Sequence, residues 1–222
     1  EFEVGANLGF FDGRIGFDFT YYNRETDDQI FTLPVDPASG YSYMVTNFGT
    51  VRNRGVELVL NTVPFQNNNW KWSLDFNWSK NVNKVLSMPA SLEGGKVVLY
   101  DFSAGNDAVE MYAIEGKPLG QFYTYLPSYN EAGQMIVDEN GYPVIDKSAT
   151  KDTGKNMNFK WTGGINTSLS AYGFTLSAQL DVRYGGYMFS RTRNLMQFTG
   201  NSAVTTYNNR NPFVLPNSVV QL

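Results

Sequence analysis

Apolar residues fall at every second position through much of this chain. Phe2, Val4, Ala6, Leu8 and Phe10 alternate with Glu3, Gly5, Asn7 and Gly9. A period of two predicts a β-strand with one apolar and one polar face, because successive side chains point to opposite sides. Phe11-Asp12-Gly13-Arg14 interrupts the run with a tight turn centred on Asp-Gly. The alternation resumes at Ile15, Phe17, Phe19 and Tyr21, which completes a hairpin. Val56, Leu58 and Leu60 follow. Beyond the polar stretch from Pro64 to Asn69, Trp70, Trp72, Leu74, Phe76 and Trp78 alternate with Lys71, Ser73, Asp75, Asn77 and Ser79. A last hairpin is predicted from Trp161 to Tyr184, with Phe174, Leu176, Ala178, Leu180 and Val182 on one side of its second arm. Thr175, Ser177, Gln179, Asp181 and Arg183 take the other side.

The connections differ in length. Residues 25–50, 87–110 and 185–222 read as loops, rich in Asp, Asn, Pro, Gly and Ser. Residues 111–127 read as a Tyr-rich strand around Gly116-Lys117-Pro118-Leu119-Gly120, and Met135-Ile136-Val137 as a short apolar run between two turns. Soluble sandwiches keep most connections short. Outer-membrane barrels put short turns on the periplasmic side and long loops outside. The alternation therefore predicts an all-β fold, a segment of an antiparallel transmembrane β-barrel. Turns at Asp12-Gly13, Asn67–Asn69 and Tyr172-Gly173 are expected in the periplasm, and loops around 32–50, 87–110 and 185–222 outside the cell. On this reading Trp72, Leu74, Phe76, Leu176 and Leu180 face lipid, while Glu57, Asp75, Asn77, Asp181 and Arg183 face the lumen. Trp70, Trp72 and Trp78 are expected in an interfacial aromatic girdle.

Composition narrows the function. Aromatics at 15% and 21 glycines suit strands and turns. Seventeen Lys and Arg against 21 Asp and Glu give a net charge of -4, which argues against a nucleic-acid partner. With no Cys and no His, the chain by itself cannot supply a disulfide framework, a Cys-His or Ser-His-Asp nucleophile, or an imidazole zinc site. No apolar run is long enough for a transmembrane helix, but a membrane-spanning strand needs only about 9–11 residues with alternate ones apolar. No signal peptide is visible. The chain opens at Glu1-Phe2-Glu3-Val4 in mid-pattern, which predicts a natural start further upstream.

Four segments resemble one family. Asn53-Arg54-Gly55-Val56-Glu57-Leu58, followed by Trp72-Ser73-Leu74 and Asn77-Trp78-Ser79-Lys80-Asn81, is similar to a stretch of the SusC/RagA TonB-dependent outer-membrane transporters. Gly116-Lys117-Pro118-Leu119-Gly120-Gln121-Phe122-Tyr123, Trp161-Thr162-Gly163-Gly164-Ile165-Asn166 and Asn211-Pro212-Phe213 through Val219 resemble further family segments in the family's order. The resemblance implies active nutrient import, of glycan fragments or oligopeptides, across the outer membrane of Bacteroidota. It also implies a plug, a TonB box, a SusD-like lipoprotein lid and contact with outer-membrane lipid, and it leaves a homodimer open. Plugged transporter barrels of this size have about 22 strands. Residues 1–222 are thus expected to be part of one barrel domain, with the plug, the TonB box and the closing strands outside this chain.

Tyr123 and Tyr125, with Tyr129, are the candidate substrate-stacking residues because they approach a loop, and packing of that loop is the alternative role for the same rings. Asp138-Glu139-Asn140-Gly141-Tyr142-Pro143 stands where some members carry a calcium-loop-like run. An EF-hand loop needs an oxygen ligand at position 5, Gly at 6 and Glu at 12, where this chain has Tyr142, Pro143 and Ala149. An Asn-Gly turn is expected there, with no metal, cofactor or catalytic group. A passive porin-type barrel and a soluble glycan-binding β protein are the rival readings. An enzyme ranks below both.

Overall fold

The computed structural model describes residues 1–34, 37–47, 49–89, 92, 95–103 and 108–220. The strands are β1 Phe2–Phe10, β2 Ile15–Thr26, β3 Ile30–Pro34, β4 Tyr43–Asn47, β5 Thr50–Gln66, β6 Trp70–Ser87 and β7 Lys96–Asp101. There follow β8 Val109–Ile114, β9 Gln121–Thr124, β10 Met135–Val137, β11 Lys151–Asn156, β12 Phe159–Ala171, β13 Phe174–Gly185 and, after helix α1 (Arg191–Phe198), β14 Ser218–Val220. Six of them form one antiparallel sheet in the order β1-β2-β5-β6-β12-β13. The long polar–apolar alternations make these six, and the register shows what the alternation achieves. Leu8 lies opposite Phe17, Phe17 opposite Leu60, Leu60 opposite Phe76, Phe76 opposite Ile165, and Ile165 opposite Leu180. The next row runs Asn7, Asp18, Val59, Asn77, Gly164, Asp181. One face of the sheet is therefore apolar across all six strands and the other mainly polar.

Local backbone chemistry sets the three short turns. Phe11, Asp12 and Gly13 all take positive φ, and the Arg14 amide closes the turn onto the Phe11 carbonyl at 3.1 Å. Tyr172 and Gly173, at φ 49° and 84°, make the two-residue connection whose twist matches a hairpin. Asn67 holds the third turn, its Oδ1 accepting from the amides of Asn69 and Trp70. The antiparallel order puts all three turns at one end of the sheet. The Val63 amide reaches the Arg14 carbonyl at 2.8 Å and the Tyr172 amide the Asn69 carbonyl at 3.3 Å, tying neighbouring hairpins together there. The long connections all leave from the opposite end.

Those connections are more ordered than the sequence predicts. Within the predicted outer loops, residues 35–36, 48, 90–91, 93–94, 104–107 and 221–222 lie outside the described residues. The first loop carries its own hairpin, β3 with β4. The second contributes β7 to a four-stranded sheet in the order β11-β9-β8-β7. The expected single strand over 111–127 is two strands, β8 and β9, because Gly116 and Gly120 take φ of 80° and 79° and turn the chain. The stretch 185–222, expected to be irregular, contains α1, capped by the Ser190 hydroxyl on the Arg193 amide. It also contains β14, which pairs in parallel with β10.

The chain forms two compact units. The first is Glu1–Tyr100 with Met111–Gln121 and Lys155–Tyr187, and the second is Asp101–Glu110 with Phe122–Gly154 and Met188–Leu222. The buried apolar cluster of the first is small: Val51, Val85, Val97 and Ala113, with Met88, Leu92, Leu99 and Leu119 packed on it. Most of the large apolar side chains of the six-stranded sheet lie outside that cluster, and Phe2, Leu176 and Leu180 are more than half exposed.

Candidate functional site

The polar face of the six-stranded sheet is a hydrogen-bonded wall. Asn7 Nδ2 donates to Asp18 at 3.0 Å and Gln179 Nε2 to Asp181 at 3.0 Å, while Ser79 and Thr162 share a bond of 2.8 Å. All five residues expected to face the lumen, Glu57, Asp75, Asn77, Asp181 and Arg183, share this face. Among the described residues no hydrogen bond or ion pair joins any two of them. Glu57 and Arg183 occupy one row, but Ser79 and Thr162 stand between them. At about 4.8 Å per strand, three strand spacings put them beyond ion-pair reach. Strand β12 likewise separates Asp75 from Asp181.

Two adjacent glycines on β12 serve opposite faces. A Cβ on Gly164 would lie 2.9 Å from Asn77 Nδ2 and 3.1 Å from Asp181 Oδ1, so its bareness lets those two side chains lean together over β12. A Cβ on Gly163 would lie 3.0 Å from the Asn77 carbonyl oxygen and 3.6–3.7 Å from the Trp161 and Trp78 rings on the apolar face.

Toward the long-loop end, the segment Gly116–Gly120 is strapped to β6. The Val85 amide donates to the Lys117 carbonyl at 3.0 Å and the Gly116 amide to the Val85 carbonyl at 2.9 Å. Asn83 Oδ1 accepts from the Leu119 amide at 2.8 Å, and Asn158 Nδ2 donates to the Leu119 carbonyl at 2.7 Å. Asn53 Oδ1 accepts from both Asn81 and Asn83 at 2.9 Å. Two asparagines, Asn83 and Asn158, thus anchor one turn to the wall, and Asn53 holds Asn83 in place.

The five residues expected to face lipid occupy three adjacent rows of the apolar face: Phe76 with Leu180, Leu74 in the middle, Trp72 with Leu176. The Trp72 indole donates to Thr167 Oγ1 at 2.9 Å, which explains a hydroxyl on that face. Trp70 meets Tyr172 edge to face at 5.9 Å, starting an aromatic band at the short-turn end.

In the second unit, Tyr123 lies on β9 and Tyr125 just beyond it, both half-buried. An aromatic group that the sequence did not reveal lies nearby in the chain: Phe102 packs on Phe122 and Phe189 with centroids 6.4 and 5.6 Å apart. A cleft of about 730 Å³ lies between α1 and the following segment, lined by Phe198, Val204, Tyr207, Arg210, Phe213 and Val214 among others. Tyr207 and Phe213 meet edge to face at 5.0 Å, and Arg210 is held by the Gly200 carbonyl at 2.8 Å. Sequence reading missed this cleft because Asn208, Asn209 and Arg210 all take positive φ and have no period to show.

The family described as "TonB dependent receptor-like, beta-barrel" matches residues 1–219. This chain belongs to that family. It is 26% identical over 212 residues to TonB-dependent receptor P3 of Formosa agariphila, which covers 86% of the chain and 21% of the relative. It is 27% identical over 198 residues to TonB-dependent receptor SusC of Bacteroides thetaiotaomicron, covering 84% and 19%. The solved RagAB peptide transporter superposes with a TM-score of 0.66 at 23% identity, covering 86% of this chain and 21% of that one. The chain therefore spans about a fifth of the length of these relatives. The relatives are receptors, not enzymes.

Seen as a segment of a TonB-dependent receptor barrel, the run 138–143 is a turn, as its sequence predicts. Asp138 Oδ1 accepts from the amides of Asn140 and Tyr142, both at 2.9 Å, and Gly141 takes φ 82°. That carboxylate closes its own loop. Further on, the hydroxyl and amide of Ser148, with Lys151 at 3.2 Å, hold the Asp146 carboxyl down to about 2. Among the described residues, no group of three or more acidic side chains could hold a metal ion.

Proposed function

We propose that this chain is part of the wall of a plugged outer-membrane barrel that imports a nutrient with energy delivered through TonB. The observation that carries the reading is the sheet itself. A six-stranded meander with one apolar face, short turns at one end and long connections at the other is what a bilayer demands of a barrel wall, and the family match covers it. Trp72, Leu74, Phe76, Leu176 and Leu180 then face lipid. Glu57, Asp75, Asn77, Asp181 and Arg183 face the lumen and its plug. A SusD-like lipoprotein completes the importer, a partnership supported by the likeness to SusC and RagAB. The cargo is a glycan fragment or an oligopeptide, and Tyr123 and Tyr125 stack on it. Import of this kind is differential binding between open and closed states, with no bond chemistry.

Uptake of the labelled nutrient by cells carrying the full-length receptor is expected to stop when TonB is deleted. Uptake that persists would point to a passive porin. Sidedness has its own check. Ser39→Cys on whole cells is expected to react with an impermeant thiol reagent and Asp12→Cys to stay unlabelled, and the reverse pattern would invert the orientation. Replacing Tyr123 and Tyr125 together with Ala is expected to weaken ligand binding by about 1–3 kcal/mol, roughly an aromatic contact of 0.5–1.5 kcal/mol for each ring, at constant barrel yield. Unchanged affinity would return both rings to a packing role.

A further inference from the structure

The apolar face carries its charges at one level only. Below the row of Val4, Tyr21, Val56 and Lys80, toward the short turns, its strand positions hold no charged side chain. At that row and above it stand Lys80, Arg54, Arg52 and Lys84, with carboxylates only further up, Glu25 opposite Arg52 and Asp27 accepting from Thr50. Arg14 lies in a turn at the other end. Arg54 and Lys80 are exposed, and neither has an ion-pair partner among the described residues.

These two cations share a groove of about 290 Å³, lined by Tyr21, Arg54, Val56, Trp78, Lys80 and Val82. Arg54 faces Val82 and Lys80 faces Val56, so the two cations are diagonal cross-strand neighbours about 7–8 Å apart at their roots. Side chains of that length can both reach one anion in the groove. A guanidinium gives a phosphate two parallel donors and the ammonium adds a point charge. Below the cations the groove wall is aromatic and aliphatic, which suits acyl chains. Snorkelling alone would explain long cations at a membrane rim, but it does not require two of them to share one groove with neither in an ion pair among the described residues, even though Glu25 is a diagonal neighbour of Arg54.

We propose that Arg54 and Lys80 form a binding site for the phosphate of the outer leaflet's phosphorylated glycolipid, its acyl chains lying down the apolar face. The choice of the outer leaflet rests on the orientation proposed above, which puts the long-loop end outside. The glycolipid is favoured over a glycerophospholipid because it is the phosphate-bearing lipid of that leaflet.

The test uses the full-length receptor, purified in detergent and titrated with lipid A, phosphatidylglycerol or phosphatidylcholine, with bound lipid counted by native mass spectrometry. Lipid A is expected to bind the wild type in preference to both phospholipids. The double variant R54Q/K80Q is expected to lose roughly thirtyfold in lipid A affinity, from about 1 kcal/mol per cation at a charged surface. K71Q, on the polar face of the same strand, is expected to lose none. Equal lipid A affinity in the double variant overturns the site. Equal binding of phosphatidylglycerol and lipid A by the wild type overturns the glycolipid assignment. Heat-modifiable gel mobility of each protein reports separately whether a barrel has formed, and thiol labelling reports its orientation, so failure of the lipid site is distinct from failure of the barrel reading.

Discussion

Arginine in place of Phe76 is expected to cost the folded barrel about 2–4 kcal/mol, the penalty for a cation on the lipid face near the bilayer midplane. Arginine in place of its neighbour Asn77 is expected to cost far less. Phe76 sits on the apolar face in the row Leu60, Phe76, Ile165, Leu180, with apolar neighbours on both sides and 36% of its surface exposed. A guanidinium there has no partner and no water at hand. Asn77 occupies the opposite face between Val59 and the bare Gly164, with Asp181 just beyond that glycine and Asp18 beyond Val59 in the same row. A cation there meets water and carboxylates. Urea titration of the full-length protein in lipid vesicles, read by gel mobility, gives both values. Equal losses in the two variants would invalidate the face assignment.

The second large effect is expected at Gly55. A Cβ there would lie 2.6 Å from the Lys80 carbonyl oxygen and 2.5 Å from the Tyr22 hydroxyl, whose ring covers the glycine. The Lys80 carbonyl belongs to the backbone of the paired strand and cannot swing aside, so the β5–β6 ladder has to part. Gly55→Val is expected to destabilise by about 1–3 kcal/mol, the range for overpacked sites. Gly9→Val is the control: its Cβ would meet nothing within 4 Å, and valine suits a strand. Should both valines cost the same, close packing under Tyr22 is not what keeps Gly55 bare.

The parts of this fold that were legible in the sequence are those where one local rule governs. From Trp70 to Ser79 the alternation and the strand agree residue by residue, because a wall between lipid and lumen forces a period of two. The same rule explains why the strand ends were missed. Strand β6 continues to Ser87 through Asn81, Asn83 and Lys84, where the chain has left the proposed apolar band and the contrast between faces fades. Gly116 and Gly120 looked like residues inside a strand, but each needs a positive φ and a turn. The pairing of β10 with β14 and the anchoring of Leu119 by Asn83 and Asn158 join residues far apart in sequence, and no periodicity reports such contacts. The stacking role of Tyr123 and Tyr125 rests on residue type and position near a loop. The cleft around Arg210 depends on backbone conformations that no residue pattern announces.

Strands β6 and β12 are neighbours in space, yet about 70 residues of chain lie between them, which raises the closure entropy over that of a four-residue turn by roughly 2–3 kcal/mol. Every other junction in the sheet closes over a turn or a much shorter loop. Assembly is therefore expected to stall at this seam: β1, β2, β5 and β6 zip up in order as local hairpins, while β12 and β13 wait as a separate hairpin. Until the intervening strands fold and shorten the gap, the free edge of β6 is where a half-built wall is open to a wrong partner, and a periplasmic chaperone has most to protect there.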